Sequence, residues 1–101
     1  MRALFIIPKL PGRFAGPDFP HTGIGYLTSM LLKHGIEVSI LDMRLGGDAS
    51  KISSILRAFK PNLVGVTSTS YGYKKAYDIV DIVKSSDEVK EDCKVVIVGR
   101  F

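Results

Sequence analysis

The spacing of apolar positions changes period several times along this chain. Ala3-Leu4-Phe5-Ile6-Ile7 is an unbroken apolar run closed by Pro8, the pattern of a strand buried on both faces of a parallel sheet. Glu37-Val38-Ser39-Ile40-Leu41, Leu63-Val64-Gly65-Val66-Thr67 and Lys94-Val95-Val96-Ile97-Val98 read as three further strands, rich in the β-branched residues that pack well on a pleated surface. Between the strands the period lengthens. Ile24, Leu27, Thr28, Leu31 and Leu32 fall on one helical stripe, with Thr22 as N-cap and His34-Gly35 as the ending, so a helix is predicted over 24–34. Ile52, Ile55, Leu56 and Phe59 make a second stripe that must stop before Pro61, because the residue preceding proline is pushed out of the helical region. Ala76, Ile79, Val80 and Val83 make a third, over 73–85. Met30 and Phe59 are read as packing residues.

Strand and helix alternate throughout, which predicts right-handed crossovers and a parallel sheet with helices on both faces. The fold expected is a flavodoxin-like, Rossmann-like three-layer α/β arrangement. Such a domain has strand order 2-1-3-4-5. Residues 1–101 supply four strands, so the chain is read as a single domain, incomplete after the fourth. The helix following a fifth strand would share a sheet face with the first helix. Without it that face keeps apolar side chains uncovered, and a homo-oligomer, in the first instance a dimer, is the expected remedy.

Composition narrows the function classes. With 46% hydrophobic and 24% charged residues the chain is an ordinary globular one, so disorder is not expected. The net charge of +4 is spread from Arg2 to Arg100 with only Lys74-Lys75 adjacent, which gives no basic patch, so no nucleic-acid partner is expected. No apolar run approaches the ~20 residues of a membrane-spanning helix, and Pro8 interrupts the N-terminal run before it can form a signal-peptide core. The expectation is a cytoplasmic protein with no membrane partner. A single cysteine, Cys93, excludes a disulfide framework, a CxxC redox pair and a cysteine-only cluster within one chain.

In open parallel sheets ligands bind outside the carboxyl ends of the strands. The segments of interest are therefore residues 8–22, 42–48, 67–72 and 99–100. A receiver-type phosphorylation site needs acids after the first strand, where Pro8-Lys9 stand instead. No P-loop motif occurs. Gly23-Ile24-Gly25 lies too far from the first strand to be a dinucleotide fingerprint, and Thr28 replaces its third glycine. Thr67-Ser68-Thr69-Ser70 and Tyr71-Gly72-Tyr73 concentrate hydroxyls and aromatics where a cofactor can lie, or where they cap the third helix. His21 is either a metal ligand or a polar loop residue. His34 suits the helix end, and no metal-ligand spacing is present. No nucleophile–base pair stands out, so no catalytic residue and no metal site are assigned.

The order of segments resembles a known family. Arg2 to Pro8, the proline-rich loop, Gly23-Ile24-Gly25-Tyr26-Leu27 continuing to Gly35-Ile36-Glu37-Val38, then Leu41-Asp42, Lys60-Pro61-Asn62 leading into Leu63 to Thr67, and Val95 to Gly99 are similar to the N-terminal cobalamin-binding domain of radical S-adenosylmethionine proteins. Methyltransferases and anaerobic magnesium-protoporphyrin monomethyl ester cyclases belong to that group. The resemblance covers nearly the whole chain. It implies a cobalamin-binding module that is not catalytic alone, since the three-cysteine motif for the iron–sulfur cluster of such enzymes is absent from these residues. The alternative is a cofactor-free interaction domain derived from the same fold. By the resemblance, cobalamin would contact Pro8, Leu10, Gly12, Thr22, Gly23, Ser68, Thr69, Ser70 and Gly99. No histidine occupies the cobalt-ligand position after the first strand, and Arg100 replaces the second glycine after the fourth.

Overall fold

The computed structural model describes residues 1–8, 22–43, 49–68, 73–87 and 92–99. Its elements are β1 (Arg2–Ile7), α1 (Thr22–Lys33), β2 (Glu37–Asp42), α2 (Ala49–Phe59), β3 (Leu63–Ser68), α3 (Tyr73–Ser85) and β4 (Lys94–Gly99). The four strands form one parallel sheet in the order β2-β1-β3-β4, the flavodoxin-like arrangement expected. β1 is central and both its neighbours are parallel to it, which is why its residues 3–7 are apolar without alternation and all buried.

Right-handed crossovers place α2 and α3 on one face and α1 on the other. Leu4 and Ile6 of β1 and Val64 and Val66 of β3 face α2 and α3, where they form the core with Met43, Ile52, Leu56, Ala76, Ile79 and Val83. Phe59 packs against this core, as read from its spacing. On the opposite face one register row runs Ile40, Phe5, Gly65, Val96. A Cβ on Gly65 would stand 2.8 Å from Cδ1 of Phe5, so the ring leans across the neighbouring strand into space that only glycine leaves open.

Two terminations follow the chemistry of the chain. α1 ends in a Schellman motif: the Ile36 amide donates to the Leu31 carbonyl, the Gly35 amide to that of Leu32, and Gly35 takes φ 75°. α2 ends at Phe59, with Lys60 left-handed at φ 50° ahead of Pro61. The amino ends of the strands are tied together there. The Arg2 amide donates to Oδ1 of Asn62 (2.9 Å), the Asn62 amide to the Arg2 carbonyl (2.8 Å), and the Lys94 amide to the Asn62 carbonyl (3.0 Å). Nη1 of Arg2 donates to the Phe59 carbonyl (2.8 Å), placing a cation on the C-terminal dipole of α2.

Two readings need correction. α1 begins at Thr22, two residues before the stripe, so Thr22 is the first helical residue and not a flanking cap. Met30 and Leu32 are exposed, because α1 is apolar on several sides and its period alone does not select the buried one. Val96 and Ile97 are exposed, in keeping with the place of β4 at the sheet edge that the expected strand order gives it.

Candidate functional site

Parallel strands bring their carboxyl ends to one side, and the register decides which residues meet there. Ile7 pairs with Asp42, and Ser68 pairs with Gly99. Across this edge the chain therefore presents Asp42 and Met43, then Ile7 and Pro8, then Thr67 and Ser68, then Gly99. Ser68 and Gly99 are the last residues of β3 and β4, one step further inside the sheet than their reading as loop residues placed them. The edge is closely packed from below, since Ile7, Pro8, Met43 and Thr67 are all buried.

Each crossover returns a helix whose amino end starts from this same edge, so Thr22 and Gly23 open α1 there. None of the three helices has an acidic residue in its first turn. The partial positive charge of the unpaired helix N–H groups is therefore not offset from within the first turns. Asp42 is the one carboxylate among the described residues of the edge, and sequence reasoning left it without a role. Its place opposite Ile7 shows only in the pairing of β1 with β2.

Of the residues expected to contact a cofactor, the structure brings Pro8, Ser68 and Gly99 to one edge, with Thr22 and Gly23 at the start of α1. Leu10, Gly12, Thr69 and Ser70 lie outside the described residues, as does His21. His34 follows the C-terminal end of α1, at the opposite end of the sheet. Among the described residues no group of three or more His, Cys, Asp or Glu side chains is placed to hold a metal ion. Nor, among them, is any helix long and apolar enough to cross a membrane.

Two open cavities lie elsewhere. One of about 370 Å³, lined by Met1, Asn62, Leu63, Asp92 and Lys94, sits at the amino ends of β1, β3 and β4. Another, of about 490 Å³, is lined by Ser53 and Arg57 of α2 and by Ile82 and residues 85–87 at the end of α3.

No protein-family model and no solved structure matches the chain. It is similar to the uncharacterized methyltransferase PH0819 of Pyrococcus horikoshii, with 32% identity over 93 residues, which is 87% of this chain and 20% of that protein. The chain spans about a fifth of the length of the curated relative it matches. What the fold and this likeness establish together is a flavodoxin-like α/β unit similar to part of a methyltransferase.

Proposed function

We propose that this chain is a cobalamin-binding module of a radical S-adenosylmethionine type protein that serves methyl transfer, and that it is not catalytic alone. The observation that carries the reading is the carboxyl edge, where Ser68 and Gly99 stand in register beside Pro8 and the start of α1. Small and hydroxyl-bearing residues at that edge suit the close approach of a nucleotide tail. Helix starts without first-turn acids suit its phosphate. The similarity to a methyltransferase supports the same class of chemistry.

In this reading Ser68 and Gly99 lie near the tail of the cofactor and cobalt takes no protein histidine; His34, among the described residues, stands at the opposite end of the sheet. A bound corrinoid would supply a carrier for a methyl group; Ser68, Thr69 and Gly99 are the residues that would hold its tail, and residues of segment 8–22 would contact the ring. Titration with cobalamin, followed in the visible spectrum, tests the reading. Saturable binding is the expected result, and changing Ser68 and Thr69 to valine weakens it by ~1–3 kcal/mol if both hydroxyls make buried hydrogen bonds. Electron spin resonance of the cob(II)alamin complex is expected to show no splitting from a histidine nitrogen. Absence of saturable binding would leave the alternative, a cofactor-free interaction domain.

A further inference from the structure

The two edges of the sheet differ in what guards them. β2 carries Glu37, Ser39 and Asp42, with Glu37 held by Arg2, whereas β4 has no charge, proline or glycine between Lys94 and Gly99. Val95 and Ile97 lie on the face of α2 and α3, in register with Val64 and Val66, and Val96 and Val98 lie on the other. Val96 is 42% and Ile97 37% accessible. Neighbours on opposite faces are both exposed, so what stands open is the edge itself. The Lys94 amide donates toward β3, to the Asn62 carbonyl. Amide direction alternates along a strand, so the N–H and C=O groups of Val95, Ile97 and Gly99 point out of the sheet, where no strand of the described residues lies. An unguarded edge of this kind is a template for strand pairing.

We propose that β4 pairs antiparallel with β4 of a second copy about a two-fold axis normal to the sheet, making one sheet continuous across both copies. Such an axis keeps each face of the sheet on its own side, so only registers that oppose like-facing residues are allowed. Setting Ile97 on the axis opposes it to the partner's Ile97, Val95 to the partner's Gly99 and Val96 to the partner's Val98. The outward groups of residues 95, 97 and 99 then all meet hydrogen-bonding counterparts. Setting Val96 on the axis instead carries Gly99 past the start of the partner strand.

What favours a second copy over an extended peptide is α3, which packs on both β3 and β4. Its axis therefore sits about 2.4 Å inside β4, half the strand spacing, and with ~4.8 Å between the two β4 strands the two α3 helices come about 10 Å apart. That is an ordinary packing distance, reached without moving either helix. Ile82 lines the cavity against α2, and Tyr77 lies about 140° around the helix from it, on the flank toward the β4 edge. Tyr77 is 57% accessible. Because α3 runs against the strands, Tyr77 stands level with Ile97, near the axis, and covers it on their common face. Asp81 comes opposite the partner's Lys74, a rim of opposite charges, and Lys84 stands at the far end of the flank, away from the axis. A strip about 20 Å along the strands and 20 Å deep through sheet and helix removes roughly 800–1,000 Å² from water over both copies. That is the small end for a specific pair, so a dissociation constant of roughly 1–100 µM is expected.

Sedimentation equilibrium over about 1–300 µM tests the association, and a monomer–dimer equilibrium is expected. Amide hydrogen exchange read by NMR at both ends of that range tests the pairing. In the monomer the amides of Val95, Ile97 and Gly99 exchange fast beside protected Val96 and Val98; in the dimer all are protected. Ile97→Lys sets like charges against each other at the axis. It and Tyr77→Glu are each expected to raise the dissociation constant at least ~10-fold, whereas Ile82→Glu, on the flank toward α2, leaves it unchanged. All three positions are exposed, so the far-UV circular dichroism spectrum stays that of the parent. A monomer throughout the range overturns the proposal. So does a dimer in which residues 95, 97 and 99 exchange as fast as in the monomer, a measurement on the parent chain that decides the matter even if a variant fails to fold. The pairing uses main-chain groups along β4 and does not rest on cobalamin binding, so the titration and this test fail separately.

Discussion

Replacing Gly65 by alanine tests whether the ring of Phe5 occupies the space above β3. The new Cβ would meet Cδ1 and Cε1 of Phe5 at 2.8 and 2.9 Å and Cγ2 of Val98 at 3.3 Å. Favourable carbon–carbon contacts lie at ~3.5–4.0 Å, so the ring must retreat by most of an ångström. Phe5 is 3% exposed, which leaves it little room. Turning the ring off its rotamer costs about 0.5–1.5 kcal/mol, and overpacking generally costs about 1–3 kcal/mol. Against this, alanine is favoured over glycine within a strand by roughly 0.5–1 kcal/mol. The expected net loss is about 1–2 kcal/mol. Urea denaturation followed by circular dichroism would then show a midpoint lowered by roughly 0.5–1 M, taking a slope of about 2 kcal/mol per M. Combining Gly65→Ala with Phe5→Leu should recover at least ~1 kcal/mol relative to additivity, because the smaller side chain vacates the contested space. Strict additivity, or a Gly65→Ala variant as stable as the parent, would refute the packing argument.

Two further substitutions probe α1. Gly35→Ala meets no atom within 4 Å, so its cost is that of holding a Cβ at φ 75°, about 1 kcal/mol, read as a lower thermal midpoint with an unchanged spectrum. Thr28 Oγ1 is buried without a hydrogen-bond partner, and Thr28→Val should raise stability by about 1 kcal/mol in the same urea titration.

Much of the fold is legible in the residues themselves, for reasons that differ by element. β1 is readable because an unbroken apolar run ended by Pro8 has few other fates, and α2 because Pro61 stops it. The end of α1 is marked by Gly35, which takes the conformation a Schellman motif requires. The inward side of α1 is legible in part: Leu27, Thr28 and Leu31 of the stripe are its less exposed positions, whereas Met30 and Leu32, equally apolar, face out. The exposure of Val96 depends on β4 being at an edge, and strand order is not a local property. At the site, local sequence places hydroxyls after β3, but the pairing of Ser68 with Gly99 emerges only from register. The tie between Arg2 and Asn62 joins residues 60 apart and leaves no periodic signal.

That separation bears on how the protein is made. β1 is synthesised first yet occupies the middle of the sheet, and its bonds to Asn62 and β3 need residues emerging some 60 positions later. At synthesis rates of 5–20 residues per second the delay is roughly 3–12 s. β1 can meet β2 during that interval, with α1 covering one face, but the face bearing Leu4 and Ile6 stays open until α2 and β3 arrive. The nascent chain therefore exposes its most apolar segment for the longest time. Early shielding of residues 3–7 by β2 and α1 is therefore expected to raise the yield of folded protein, because transiently exposed apolar surface favours aggregation.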